Sequence, residues 1–158
     1  MADRAAVREY LKQAYRLDQQ IDSKIEQVAS LHTLATKATS TLSDMPSGGS
    51  RSVHRMEDII LKIIAMENDI NADIDALVDL KEDIRQLLKK VENAEYRCIL
   101  EQRYVNYKPW EQIAVDMGYS RQHLFRLLNL ALDAAAEIYE DAKGEAASDQ
   151  KLRVDESK

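Results

Sequence analysis

Apolar residues recur at steps of three and four along most of this chain, which is the period of an amphipathic helix. The first run is Val7, Leu11, Ala14, Leu17, Ile21, Ile25, Val28, Leu31 and Ala35. It predicts one helix from residue 3 to about residue 36, an arm about 50 Å long at 1.5 Å per residue. The period fails over residues 37–52, KATSTLSDMPSGGSRS, where Thr, Ser, Gly and Pro predict a loop. Within it, Leu42 and Met45 are placed to tuck against the arms. SGGSRS lacks the G-x-x-x-x-G-K-[ST] spacing of a phosphate-binding loop, so it is a connector. The period resumes over 53–91 with Met56, Ile60, Ile63, Ile70, Ile74, Leu77, Ile84, Leu88 and Val91. Ile59, Ile64, Met66, Leu80 and Leu87 widen that stripe. A stripe wider than a two-position seam belongs to a helix with more than one neighbour. The simplest arrangement folds the two helices into an antiparallel hairpin and leaves apolar surface for a second subunit, as in a four-helix bundle.

Beyond residue 92 the helices shorten. Asn93 is placed to cap a helix over 94–105, AEYRCILEQRYV, and Asn106-Tyr107-Lys108 forms the turn that follows. Pro109 stands where its missing N–H costs nothing, at the start of a helix with Trp110, Ile113, Ala114 and Met117 on one face. Gly118 ends that helix and Ser120 caps the next. The last helix runs from Arg121 to about Asp141. Leu124, Leu127, Leu128 and Ala131 are for burial, and Arg121, Gln122, Phe125, Arg126 and Asn129 face outward. Ala134, Ala135, Ile138 and Tyr139 extend it further than base reading requires. The expected fold is therefore all-α: a long antiparallel helical hairpin over 1–92, a helix-turn-helix domain over 93–142 and a mobile polar tail over 143–158.

Composition supports helices and limits the chemistry. Only four glycines, two prolines and one phenylalanine occur, against a β-rich fold. No apolar run approaches the roughly 20 residues that cross a bilayer, and the opening MADRAAVREY has no signal-peptide core. A cytoplasmic protein that uses no membrane is expected. Cys98 is alone, and its setting, YRCIL, marks a small buried apolar residue. His32, His54 and His123 fall in three different elements with no cysteine set near them, which supports neither zinc nor a nucleophilic triad. Asp69, Asn71 and Asp73 imitate the start of a calcium loop. Ile74 stands where its glycine belongs and Leu80 where its final glutamate belongs. Neither metal, cofactor nor enzymatic activity is expected.

The net charge of −6 bears on partners. The hairpin and the helix-turn-helix segment each carry −3, so the reading domain is itself acidic. Yet no acidic residue lies between Asp116 and Asp133, the gap that holds Arg121, His123 and Arg126. A basic helix on an acidic body implies few phosphate contacts and weak non-specific affinity per monomer, which a second copy would offset.

The residues RY…W-E-x-I-A…M-G-Y-S-R-x-x-L-x-R-L…A-L, within Arg103 to Leu132, resemble region four of bacterial sigma factors. That resemblance implies that the last helix reads bases in the major groove. The whole chain, including LATKATSTLSDMP at Leu34–Pro46, resembles phage- and prophage-encoded regulators of the ArpU/RinA type, with a helical N-terminal half before a region-four-like end. The resemblance implies a regulator of phage genes in a bacterial cytoplasm, acting near promoters with host RNA polymerase. Ser120, Arg121, Gln122, His123, Phe125 and Arg126 then form the DNA-facing set. Arg suits guanine O6/N7 and Gln suits adenine N6/N7, while Phe125 either touches a thymine methyl or turns inward. A homodimer through the arms is expected. The competing class is a DNA-packaging or assembly protein like a small terminase subunit, which also joins helix-turn-helix to coiled coil. A dimer favours the regulator and a ring of about eight or more favours packaging.

Overall fold

A computed structural model describes residues 2–42 and 49–155. The described residues form helices and no strands: α1 (Arg4–Leu42), α2 (Gly49–Lys89), α3 (Ala94–Leu100), continued by a π-helical turn at Glu101–Val105, α4 (Trp110–Met117) and α5 (Arg121–Asp155). The all-α expectation holds. Two compact units share these helices. One joins the chain up to Tyr15 with everything from Asp79 onward, and the other spans Arg16 to Val78. The boundary expected at 92–93 thus falls inside the first unit, because the start of α1 and the end of α2 belong with the short helices.

The Arg16–Val78 unit is an antiparallel pair. Lys24 Nζ meets Asp73 at 2.6 Å, His32 Nε2 lies 4.0 Å from Glu67, and the Thr39 hydroxyl lies 3.9 Å from the Met56 sulfur. As α1 advances, its α2 partners recede. The seam alternates strictly by three and four. On α1 it takes Leu17, Ile21, Lys24, Val28, Leu31 and Ala35; on α2 it takes Met56, Ile59, Ile63, Met66, Ile70, Asp73 and Leu77. Such a 3.5-residue repeat is what two helices in long contact require. It overturns part of the expected stripes. Ile25 is displaced outward by Lys24, and Ile60 and Ile74 also face outward. Lys24 occupies a seam position because Asp73 lies opposite. The carboxylate hydrogen bond holds the ammonium pKa above its ordinary 10.5, against the opposing effect of desolvation. Asp69, Asn71 and Asp73 lie on one continuous helix rather than in a loop.

The stretch expected as a loop, 37–52, is helical at both of its described ends. Residues 37–42 continue α1 and 49–52 begin α2. The hydroxyls of Thr33, Thr36, Thr39 and Ser40 each donate to the carbonyl four residues back, so this hydroxyl-rich stretch satisfies itself in helical form. The packing expected of Met45 lies outside the described residues, as does any side-chain placement of Leu42.

The other unit has the deeper core. Val7, Leu11 and Ala14 of α1 are fully buried, as are Leu88 of α2, Ile99 and Leu100 of α3, Ile113 of α4, and Leu124, Ala131, Leu132, Ala135 and Ala136 of α5. The outer turns of α5 are held by α1. Tyr10 stacks on Tyr139 with centroids 4.8 Å apart, and Arg4 clasps Asp133 with two 2.7 Å hydrogen bonds. That clasp holds the Asp133 carboxyl below its ordinary 3.8, chiefly through the hydrogen bonds. A lowered folded-state value means the stabilisation is complete above pH 3.8 and is lost as pH falls through the folded value. Asp133→Asn is therefore expected to lower the melting temperature modestly at pH 7 and to match the wild type at strongly acid pH. Thermal melts of both proteins across that range check it. Both side chains are nearly half exposed, so added salt shrinks the pH 7 difference.

α5 also differs from expectation, since it continues to Asp155 where a mobile tail was expected from 143. Extending an existing helix needs no new nucleus, and Ala, Glu, Gln and Lys sustain it. Nearly every side chain from Lys143 to Val154 is exposed. The segment carries no apolar period, and its side chains stand largely in solvent, with the Lys143 ammonium over the Tyr139 ring at 4.5 Å.

Candidate nucleic-acid interface

Local capping sets the geometry of the short helices. The Asn93 side chain accepts from the backbone N–H groups of Glu95 and Tyr96, starting α3. Arg97 reaches back to the Val91 carbonyl at 3.0 Å and ties that start to the end of α2. The π-helical turn closes with the Asn106 N–H on the Glu101 carbonyl at 3.0 Å. Tyr107 then takes a left-handed conformation, φ 58°, which costs a non-glycine residue about 1–2 kcal/mol. Its ring is held by the edge of Tyr15 (5.4 Å) and the Lys81 ammonium (4.8 Å). Pro109 precedes α4 as expected, and Gly118 ends it at φ 70°. Nothing lies within 4 Å of where a Cβ on Gly118 would stand, so the backbone angle alone demands glycine. The Ser120 hydroxyl accepts from the His123 N–H at 3.2 Å and caps α5. Tyr119, in the turn, hydrogen-bonds through its hydroxyl to Glu95 of α3.

α4 and α5 therefore form a helix-turn-helix braced by α3. Leu124, Leu127 and Leu128 point into the core, which leaves the opposite side of the first turns of α5 in solvent. Ser120, Arg121, Gln122 and Arg126 are exposed there, and His123 and Phe125 are half-buried. The two half-buried rings support their neighbours. Arg126 donates to His123 Nδ1 at 2.9 Å; a guanidinium cannot accept, so Nδ1 does. The His123 ring in turn meets Tyr119 edge-on at 4.8 Å. Of the two orientations open to Phe125, its ring leans on Trp110, with centroids 5.5 Å apart, rather than standing free for a thymine methyl. Trp110 is half-buried rather than fully core, and Arg103 stacks over its outer face at 4.5 Å while donating to the Lys108 carbonyl.

One partner of the site was not visible in the spacing. Glu111, in the first turn of α4, lies 3.7 Å from Arg121, and both side chains are about 70% exposed. The pair offsets the charge that the acid-free stretch of α5 carries. Only the turn between the helices brings these residues together. Lys108 and Gln112 both engage Asp116. Cys98 is half-buried and its sulfur accepts from Gln102, so it is less enclosed than its apolar setting predicted. Among the described residues no group of His, Cys, Asp and Glu is placed to hold a metal ion, and no helix is long and apolar enough to cross a membrane.

No curated protein and no solved structure matches the chain. A family model described as "Protein of unknown function (DUF1492)" matches residues 34–135, from the last turns of α1 through the fold's core in α5, and the chain belongs to that family.

Proposed function

We propose that this protein reads DNA sequence through the first turns of α5, and that it does so as a transcriptional regulator of phage or prophage genes acting near promoters with RNA polymerase. The observation that carries this reading is one surface. Arg121, Gln122 and Arg126 stand in solvent on a helix whose other side is locked into a core by Leu124, Leu127 and Leu128. Rigid support with solvent-exposed donors is what base readout needs. Arg121 exchanges its exposed Glu111 contact for a base or phosphate at little cost, since an exposed pair contributes little. The resemblance to sigma region four supports the same reading. Two copies joined through the Arg16–Val78 arms supply the affinity that one lightly basic helix lacks.

Selection from a random duplex pool tests it, with wild type and an Arg121→Ala/Arg126→Ala variant side by side. The wild type is expected to enrich a motif of paired half-sites. The variant, whose changes are at exposed positions, is expected to fold normally and lose the enrichment. Enrichment that survives in the folded variant overturns the assignment to this helix. No enrichment by the wild type, with or without RNA polymerase present, overturns the DNA reading.

A further inference from the structure

α2 carries a second apolar seam that α1 does not cover. Val53, Ile60, Ile64, Ile74 and Val78 are 39–61% exposed, although they keep the same three-and-four alternation as the covered seam. Their series is 53, 57, 60, 64, 67, 71, 74, 78, filled at its other places by Glu57, Glu67 and Asn71. It is offset by one residue from the covered seam, about 100° around the helix. Two faces at that angle are what each helix of a four-helix bundle presents to its two neighbours. On α1, exposed Ile25 and His32 fall in the matching positions, and the His32–Glu67 contact places them on the same side of the hairpin. The resulting face is about 38 Å long and two helix diameters wide. In the register given below, residues 60–78 of two copies overlap over about 27 Å of this face.

We infer that this face binds a second copy of the chain with the two α2 helices antiparallel, related by a twofold axis at the level of Asp69. The inference rests on the arms being the dimerisation element, as proposed above, and adds the orientation and register. The composition of the seam selects both. With the axis at Asp69, Ile60 meets the partner's Val78, Ile64 meets the partner's Ile74, and Glu67 meets the partner's Asn71. Ile60, Ile64, Ile74 and Val78 each meet an apolar residue, Val53 falls opposite the partner's Arg85, and the polar pair comes together twice beside the axis, where Asn can donate to the carboxylate. Sliding by one heptad in either direction destroys this. One way sets Asn71 against the partner's Ile60 and Glu67 against the partner's Ile64. The other sets them against the partner's Ile74 and the partner's Val78. A parallel pairing in register sets Glu57 and Glu67 each against its own copy, which buries like charges. A polar pair inside an apolar seam is a known means of selecting one register. The arrangement is isologous and closes at two copies.

The test uses the full chain with Cys98→Ser, carrying either Ile64→Cys or Ile74→Cys. Sedimentation of the wild type is expected to give a dimer. Under mild oxidation, a mixture of the two cysteine variants is expected to give disulfide-linked dimer, and neither variant alone is. In the proposed register two copies of residue 64 stand about 15 Å apart along the axis, beyond the reach of a disulfide. Cross-linking of each variant with itself means a parallel dimer and overturns the orientation while leaving dimerising arms intact. A dimer that cross-links in no combination overturns the register. A monomer, or a ring of about eight or more, overturns the arm-mediated dimer as well, and DNA selection still stands separately.

Discussion

Replacing Leu124 with alanine is expected to lower the stability of the unit that contains the helix-turn-helix by about 2–5 kcal/mol. Leu124 has no exposed surface and sits one turn into α5, in a core with Ile113, Ile99 and Leu100. Removing its branched end takes apolar atoms out of contact on several sides, and three packed helices collapse into the gap only in part. For a unit of this size the loss lowers the melting temperature by about 10 °C or more. Trp110 is the sole tryptophan, with Arg103 over its ring and Phe125 tilted against it. Its fluorescence follows this unit and not the arms. Denaturation watched at Trp110 should show the full shift. Leu61→Ala, at a position 64% exposed on the arms, should shift it by less than about 0.5 kcal/mol. A Leu124→Ala protein with an unmoved Trp110 transition contradicts the core described here.

The second large effect is expected from a residue far away in sequence. Leu11→Ala should also lower the Trp110 transition by about 2–5 kcal/mol, although Leu11 precedes the helix-turn-helix by about a hundred residues. Leu11 is fully buried, as are Val7 and Ala14 beside it, and the compact unit around Trp110 includes this stretch of α1. Arg4 on Asp133 and Tyr10 on Tyr139 place it along α5. If the first 15 residues belonged only to a dimerising arm, Leu11→Ala would leave Trp110 unmoved and alter oligomeric state instead. Measuring the transition and the sedimentation of the same protein separates these outcomes. On the proposed reading, DNA binding is expected to fall with the folded fraction, whereas Arg121→Ala/Arg126→Ala is expected to lose binding while it stays folded.

The features legible in the chain were those whose causes are local. Asn93, Pro109, Gly118 and Ser120 act on backbone groups within three or four residues, so residue type and spacing sufficed to place α3, α4 and α5. The outward position of Arg121, Gln122 and Arg126 followed from the burial of Leu124, Leu127 and Leu128 on the same helix. The all-α class followed from a periodicity that few glycines or prolines interrupt. Helix ends at 37–42 and 143–155 were missed because a helix already formed continues through residues that carry no apolar period.

The remaining features depend on what stands opposite. α2 bears two adjacent apolar seams, and nothing along α2 says whether Ile59 and Ile63 or Ile60 and Ile64 face α1; the 3.5-residue match with α1 decides it. Lys24 takes a seam position in preference to Ile25 because Asp73, 49 residues later, is there to accept a hydrogen bond from its ammonium. Phe125 leans inward because Trp110 offers it a ring, and Arg121 meets Glu111 because the Gly118 turn folds α4 against α5. The first turns of α1 join the helix-turn-helix unit because the buried side of α5 is longer than the short helices can cover. Periodicity along one helix states that a face will be buried; the choice of partner is a comparison among surfaces distant in sequence, and only the folded chain makes it.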